Sequence, residues 1–148
     1  GNPQLANQII DQRDLTVWVV RMAENATTGD FNGVGPDHRL TMGEMLEEIG
    51  TVASNPFELT WIPEDFLEQH EVRPWSDLPA WIPGDALMFV AYQKSIDAGL
   101  TFRSLAQTSR DVLEWDKGRP AAERADRSFG WSREREREVL DAWHAARP

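Results

Sequence analysis

Two acids and a base stand together in "NQIIDQRDLTVWVVRMAEN", residues 7–25. Asp11, Arg13 and Asp14 fall where the apolar pair Ile9–Ile10 gives way to a helix-like segment. Carboxylates at such a junction can hold backbone N–H groups or grip a guanidinium. Catalysis would need more: a nucleophile beside a base, or titratable groups converging from several segments. The remaining residues supply little of that kind. His38, His70 and His144 show no ligand spacing with one another or with a carboxylate pair. The chain holds no cysteine, which removes thiolate metal sites, disulfides and cysteine nucleophiles. It also has no G-x-S-x-G elbow for a hydrolase serine.

Three further stretches invite a chemical reading. "GVGPDH", 33–38, begins like a dinucleotide loop, but His38 occupies the third glycine position and Pro36 removes an N–H donor. A strand end running into a turn explains it. "REREREV", 133–139, offers i,i+3 pairs that a solvated helix face accounts for. Trp75 and Trp81 sit in "EVRPWSDLPAWIPGD", 71–85, with three prolines. Large aromatics in an ordered loop either cover a core or line a ligand cavity. Both readings stand at this point.

The elements that must position these residues are short. Residues 5–11 predict a strand, followed by a helix whose stripe is Leu15, Trp18, Val19 and Met22, ending near Asn25. "DFNGVG", 30–35, predicts a second strand. Thr41 with Glu44 three residues on is a capping box, so a helix starts there and turns Met45, Leu46 and Ile49 inward. "FELTWI", 57–62, alternates Phe57, Leu59 and Trp61 and predicts the clearest strand. Pro63 before Glu64 and Asp65 opens another helix. Further helices are expected over about 85–98, stopped by Gly99, and over 104–115. Residues 116–130 predict a charged surface loop. Ser132 caps a last helix with Val139, Leu140 and Trp143 as its buried stripe. The pattern is mixed α and β: short strands among about five to six helices, in one domain spanning 1–148.

Composition bounds the rest. At 148 residues with 41% hydrophobic content and seven Trp, the chain can bury a core of its own. Its net charge of -10, from 25 acidic against 15 basic residues, speaks against binding nucleic acid or an anionic membrane. No apolar run approaches the roughly 20 residues needed to cross a bilayer, and no signal peptide opens the chain. A cytoplasmic protein is the default expectation.

In order, "IIDQRDLTVWVV", "FNGVGP", "LTMGEMLEEI", "LPAWIPGD", "SIDAGLTFRSLAQTSRDVLEW" and the final helix resemble the C-terminal half of an NAD(P)-dependent epimerase/dehydratase of the extended short-chain dehydrogenase/reductase family. The resemblance covers about residues 5 to 146. It implies an α/β smaller lobe that closes over a substrate while a Rossmann lobe, absent here, binds NAD or NADP. It also implies that Asp14 begins a helix at the lobe boundary, capping it and holding backbone N–H groups. The family's Gly-rich loop and Tyr-x-x-x-Lys pair have no counterpart: Tyr92 is the single tyrosine, and Ile96 stands four residues later. The chain therefore reads as an interior piece of a larger enzyme, catalytically incomplete alone.

The resemblance bears on substrate too. Members acting on nucleoside-diphosphate sugars hold the pyrophosphate with two arginines, and here those positions are Asn7 and Ile82. A less charged substrate is expected, met by Asn7, Gln8, Trp75, Trp81, Ile82 and Met88. The expected partners are that small molecule, the missing Rossmann lobe, and further copies of the chain meeting at surfaces the absent lobe would cover. The rival expectation is a binding or scaffold module that kept the lobe and lost catalysis.

Overall fold

The computed structural model describes residues 1–84, 90–125 and 130–146. Its elements follow in the order β1 (Ala6–Asn7), α1 (Gln12–Glu24), β2 (Leu40–Thr41), α2 (Met42–Gly50), α3 (Glu64–Gln69), α4 (Gln93–Asp97), α5 (Leu105–Lys117), α6 (Ala121–Ala125) and α7 (Arg133–Ala146). The class is mixed α and β, mostly helical: seven helices among the described residues, more than expected, with one two-stranded sheet. β1 and β2 pair antiparallel, Ala6 opposite Thr41 and Asn7 opposite Leu40.

Side-chain chemistry sets the helix starts. Asp11 caps α1, its carboxylate accepting the Arg13 N–H at 2.8 Å. Thr41 and Glu44 form the reciprocal box on α2, the Glu44 N–H reaching Thr41 Oγ1 at 3.2 Å and the Thr41 N–H reaching Glu44 Oε2 at 2.8 Å. Ser104 caps α5 and Ser132 accepts from Arg135 in the first turn of α7. Three helices stop alike, with one residue in the left-handed region and a six-to-one bond across the end. Those residues are Gly99 after α4, Ala26 after α1 and Glu71 after α3, with φ of 87°, 49° and 56°. The closing bonds run from Leu100 to Ser95, Thr27 to Met22 and Val72 to Leu67.

The core joins α2, α3, α7 and the start of the chain. Leu5, Leu40, Met42, Met45, Ile62, Leu67, Val72, Trp81 and Val139 form one buried cluster. Leu67 is 2% exposed and Val139 fully enclosed. Leu46, Ile49, Leu140 and Trp143 pack on it, as the stripes of α2 and α7 predict. The Trp143 ring meets Phe66 edge-on at 5.0 Å.

Several expectations are corrected. In α1 only Trp18 is buried, and Val19, expected inside, is 51% exposed along with Val17 and Val20. The rest of the expected stripe does face inward: Trp18 is buried, and Leu15 and Met22 are half-buried. Residues 30–35 form no strand. Two of their carbonyls are taken by side chains instead, Ser95 donating to that of Asn32 at 2.7 Å and Lys94 to that of Asp30 at 2.8 Å, while the Asn32 side chain donates to the Ala91 carbonyl at 2.8 Å. Only the Ile9 N–H to Gly35 O bond resembles a rung. Residues 57–62, expected as the clearest strand, form none and have no partner strand among the described residues. The helix expected over 85–98 is described only as α4, residues 85–89 lying outside the described set. Within 116–130, α5 continues to Lys117 and α6 follows, with Arg119 bridging to Asp116 at 3.0 Å and lying 5.0 Å over the Trp115 ring.

Replacing a side chain in the cluster should be far costlier than trimming an exposed apolar residue. Leu67→Ala is expected to lower unfolding free energy by about 2–5 kcal/mol, and Val112→Ala, on the open face of α5, by less than about 0.5 kcal/mol. Urea titrations of the two variants check the contrast.

Candidate functional site

The charged residues at the start of α1 do come together with residues far along the chain. Asp11 is almost wholly buried, its side chain 5% exposed. It accepts from the Arg13 N–H, from Arg13 Nε at 2.9 Å and Nη2 at 2.6 Å, and from the Thr108 hydroxyl at 2.8 Å. Asp14, one turn on, accepts the Arg103 backbone N–H at 2.9 Å and grips its guanidinium at 2.9 and 2.7 Å. Arg13 reaches across to Asp111 on α5 at 2.7 Å. Glu48 of α2 adds a fourth tie, accepting the Ala106 N–H at 3.0 Å. Two helix N-termini, α1 and α5, are thereby fastened to each other and to α2.

The Arg13 guanidinium and its N–H, then Thr108 and Arg103, hold the Asp11 carboxyl well below the usual carboxylate range, against the opposing effect of burial. A carboxylate saturated with donors neither takes up a proton near neutrality nor has a lone pair free for a substrate. These acids are clamps. The resemblance assigns Asp14 both capping and the holding of N–H groups. Here the capping belongs to Asp11, and Asp14 does the holding.

Beside the clamp lies a cavity of about 320 Å³, walled by Ile9, Asp37, His38, Glu48, Phe102 and Arg103 among others. Gly33 and Gly35 pack closely below it. A Cβ on Gly33 would lie 2.5 Å from Leu15 Cδ1, and one on Gly35 would lie 2.4 Å from Phe102 Cε1. Both glycines therefore admit neighbouring side chains, and their surroundings do not fit a pyrophosphate. Among the described residues no group of three His, Cys, Asp or Glu is placed to hold a metal ion.

The substrate residues expected from sequence are spread over the lobe. Asn7 is buried in β1, its Nδ2 3.6 Å from Met42 Sδ. Gln8 clasps the Val90 backbone twice, donating from Nε2 to its carbonyl and accepting its N–H, each at 2.8 Å. The two residues share a space of about 10 Å³ with His38, Arg39, Leu40 and Tyr92. Trp81 is 6% exposed within the core cluster, whereas Trp75 is 58% exposed. A Trp75 N–H to Trp81 O bond of 3.0 Å joins their backbones. The two open readings of the aromatic loop thus divide: Trp81 covers the core, and Trp75 is the one left facing outward. Ile82 is half-buried, and Met88 lies outside the described residues.

Arg103, Thr108 and Asp111 carry the clamp and were not singled out in sequence. Their partners lie 89, 97 and 98 residues away. The one local signal is that two acids three apart at a helix start need cations from elsewhere.

No protein-family model, curated protein or solved structure matches the chain. Among the described residues no helix is long and apolar enough to cross a membrane.

Because Asp11 is more acidic folded than unfolded, its contribution to stability is complete above its unfolded value near 4 and is lost as pH falls toward the folded value. Urea midpoints are therefore expected to fall between about pH 5 and pH 2, and more shallowly in Asp11→Asn. Breaking the neighbouring tie with Asp14→Ala should cost about 2 kcal/mol, the scale of hydrogen bonds to a charged group. Adding Arg103→Ala should cost little more, which a double-mutant cycle would register as coupling.

Proposed function

We propose that this chain is the substrate-binding lobe of an NAD(P)-dependent oxidoreductase or epimerase of the extended short-chain dehydrogenase/reductase type. The observation that carries the reading is the Asp14–Arg103 clamp. An acid at the helix start after the first strand holds a backbone N–H at the far end of the lobe, the duty that the resemblance gives that acid. The helix starts at Thr41, Pro63, Ser104 and Ser132 also follow the order of the resembling segments. The cofactor, NAD or NADP, would be held wholly by the other lobe, and so would the reacting tyrosine and lysine.

The part left to this chain is to shape and dry the substrate's surroundings. With Asn7 and Ile82 where arginines would bind a diphosphate, the substrate is small and not a nucleotide sugar. Gln8 sets the position of the segment re-entering at Val90, and Trp75 offers an uncommitted aromatic face. Exposed Val17 and Val20 on α1, with Val112, Leu113 and Trp115 on α5, support a further part of the reading. They are apolar surface for which the parent supplies cover, and the isolated chain self-associates through them.

Calorimetry with NADH and NADPH tests the assignment. The parent protein is expected to bind at least one of them, and residues 1–148 alone neither. A parent that binds neither, and whose upstream sequence encodes no Gly-rich strand–turn–helix and no Tyr-x-x-x-Lys, would be the non-catalytic module instead. Sedimentation velocity of the isolated chain should show mass rising with concentration. A strict monomer would contradict the self-association.

A further inference from the structure

The cavity of about 320 Å³ beside the clamp is lined by residues whose hydrogen-bonding capacity the clamp uses only in part. Arg103 gives Nε and Nη2 to Asp14, at 2.9 and 2.7 Å, and its Nη1 finds no acceptor among the described residues. That side chain is only 22% exposed. Glu48 uses Oε1 for the Ala106 N–H at 3.0 Å, and its Oε2 accepts from no described residue. Ser104 accepts the Gln107 N–H on Oγ at 3.2 Å, while its hydroxyl proton has no acceptor among them. Each side chain is already fixed by the bond it makes, so engaging its unused atom adds little ordering cost. One edge of a guanidinium and one carboxylate oxygen, the first donating and the second accepting, form a recognition pair.

The rest of the lining sets the body and charge of a ligand. Ile9, Ile10, Pro36, Leu40, Phe102 and Leu105 give the cavity apolar walls. An anion would be drawn to Arg103 but would meet Asp14, Asp37 and Glu48 around the same space. A cation would be drawn to Glu48 but would share the cavity with Arg103. A neutral molecule escapes both penalties. It has to present an acceptor and a donor close together on an apolar body. Neighbouring hydroxyls on a ring do so, because each gives one proton and accepts through two lone pairs. The volume lies at the small end of ligand pockets and suits a molecule of about a dozen heavy atoms.

We propose that this cavity binds a small neutral polyhydroxylated ring, of the monosaccharide or cyclitol kind. One hydroxyl accepts from Arg103 Nη1 and a neighbouring one donates to Glu48 Oε2. Ser104 adds a further donor, and the C–H face of the ring rests on the apolar walls. Asp11 and Asp14 only hold the residues around the site, since their oxygens are already occupied. The site is independent of the reading of the chain as a substrate lobe. Asn7, Gln8, Trp75, Trp81 and Ile82 do not line it, and binding there involves neither cofactor nor second lobe.

Ligand-observed NMR on the 148-residue chain, with glucose, galactose, xylose and myo-inositol as probes, tests the proposal. At least one is expected to bind in the millimolar range, the scale for so small a polar ligand, and to shift the amide peaks of Ser104 and Ala106. Arg103→Lys keeps a cation beside Asp14 but removes the unused edge, and should weaken that binding roughly tenfold. Glu48→Gln keeps an acceptor for Ala106 and should weaken it about fivefold. Urea midpoints taken alongside show whether each variant is folded. Should either variant unfold, the peak shifts of the unmodified chain still decide the site. Binding by none of the four probes, or shifts confined to residues away from the cavity, overturns the proposal. So does unchanged affinity in both folded variants. Tighter binding of glucuronate or glucosamine than of every neutral probe would give the cavity to an anion or a cation, and overturns it too.

Discussion

Two carboxylates set one turn apart, Asp11 and Asp14, decide how this chain is put together. Left alone they would repel each other at partial burial. Each is instead matched to a guanidinium, Asp11 to Arg13 and Asp14 to Arg103, and each also accepts a backbone N–H. Two helix N-termini, with their unpaired donors and positive dipole ends, converge on the pair. The arrangement answers the like-charge problem and the end-of-helix problem together. It also explains why α5, with no fully buried residue of its own, is held in place at all.

Around that clamp the chain divides into two regimes. At the end built from α2, α3, α7 and the N-terminal residues, stability comes from apolar burial, and each side chain of the cluster excludes water from the others. At the end built from α1 and α5, polar ties do the joining while valines and a tryptophan face outward. With their valines exposed and Asp14 and Thr108 half-buried, these helices are held in orientation largely by hydrogen bonds, since removing a partner from an enclosed carboxylate costs more than wetting a valine. Trp18 is the exception that anchors α1, with its ring against Phe31 and its N–H on the Ala98 carbonyl at 3.0 Å.

Where a signal was local, the sequence was legible. The Thr41–Glu44 box, Pro63, Ser104, Gly99 and Ser132 mark helix ends where the structure has them, because capping chemistry needs only three or four neighbouring residues. Ala26 and Glu71 end helices in the same left-handed way as Gly99 but announce nothing, since neither residue type favours that backbone. Strands failed for a different reason. Alternation in 57–62 describes a segment able to pair, and pairing depends on a second segment that alternation cannot name. In 30–35 two backbone carbonyls went to the Ser95 and Lys94 side chains, a competition invisible along the sequence. For the candidate site, Asp14 was legible as an acid that holds a backbone N–H, but the cap expected of it belongs to Asp11, and Arg103, Thr108 and Asp111 were hidden by distance. The aromatic loop was legible as ordered, but which Trp turns inward depends on what lies beneath it.

The unpaired run at 57–62 and the outward valines of α1 and α5 lie in separate places. At the clamp polar groups are closely matched, with four donors on Asp11 and three on Asp14. Open backbone along 57–62, a buried Trp131 indole donor without an acceptor among the described residues, and exposed apolar residues on α1 and α5 are departures from that standard. The first two border one groove, beginning at Gly1. The third lies across the clamp, where Ile10, Val112 and Trp115 line a shared depression bridged by the Arg13–Asp111 pair. Backbone left open costs free energy only if it stays buried and dry, and valines cost little when wet. Each surface is therefore tolerable in this chain as it stands. One could be covered only by directional hydrogen bonds, the other by exclusion of water alone.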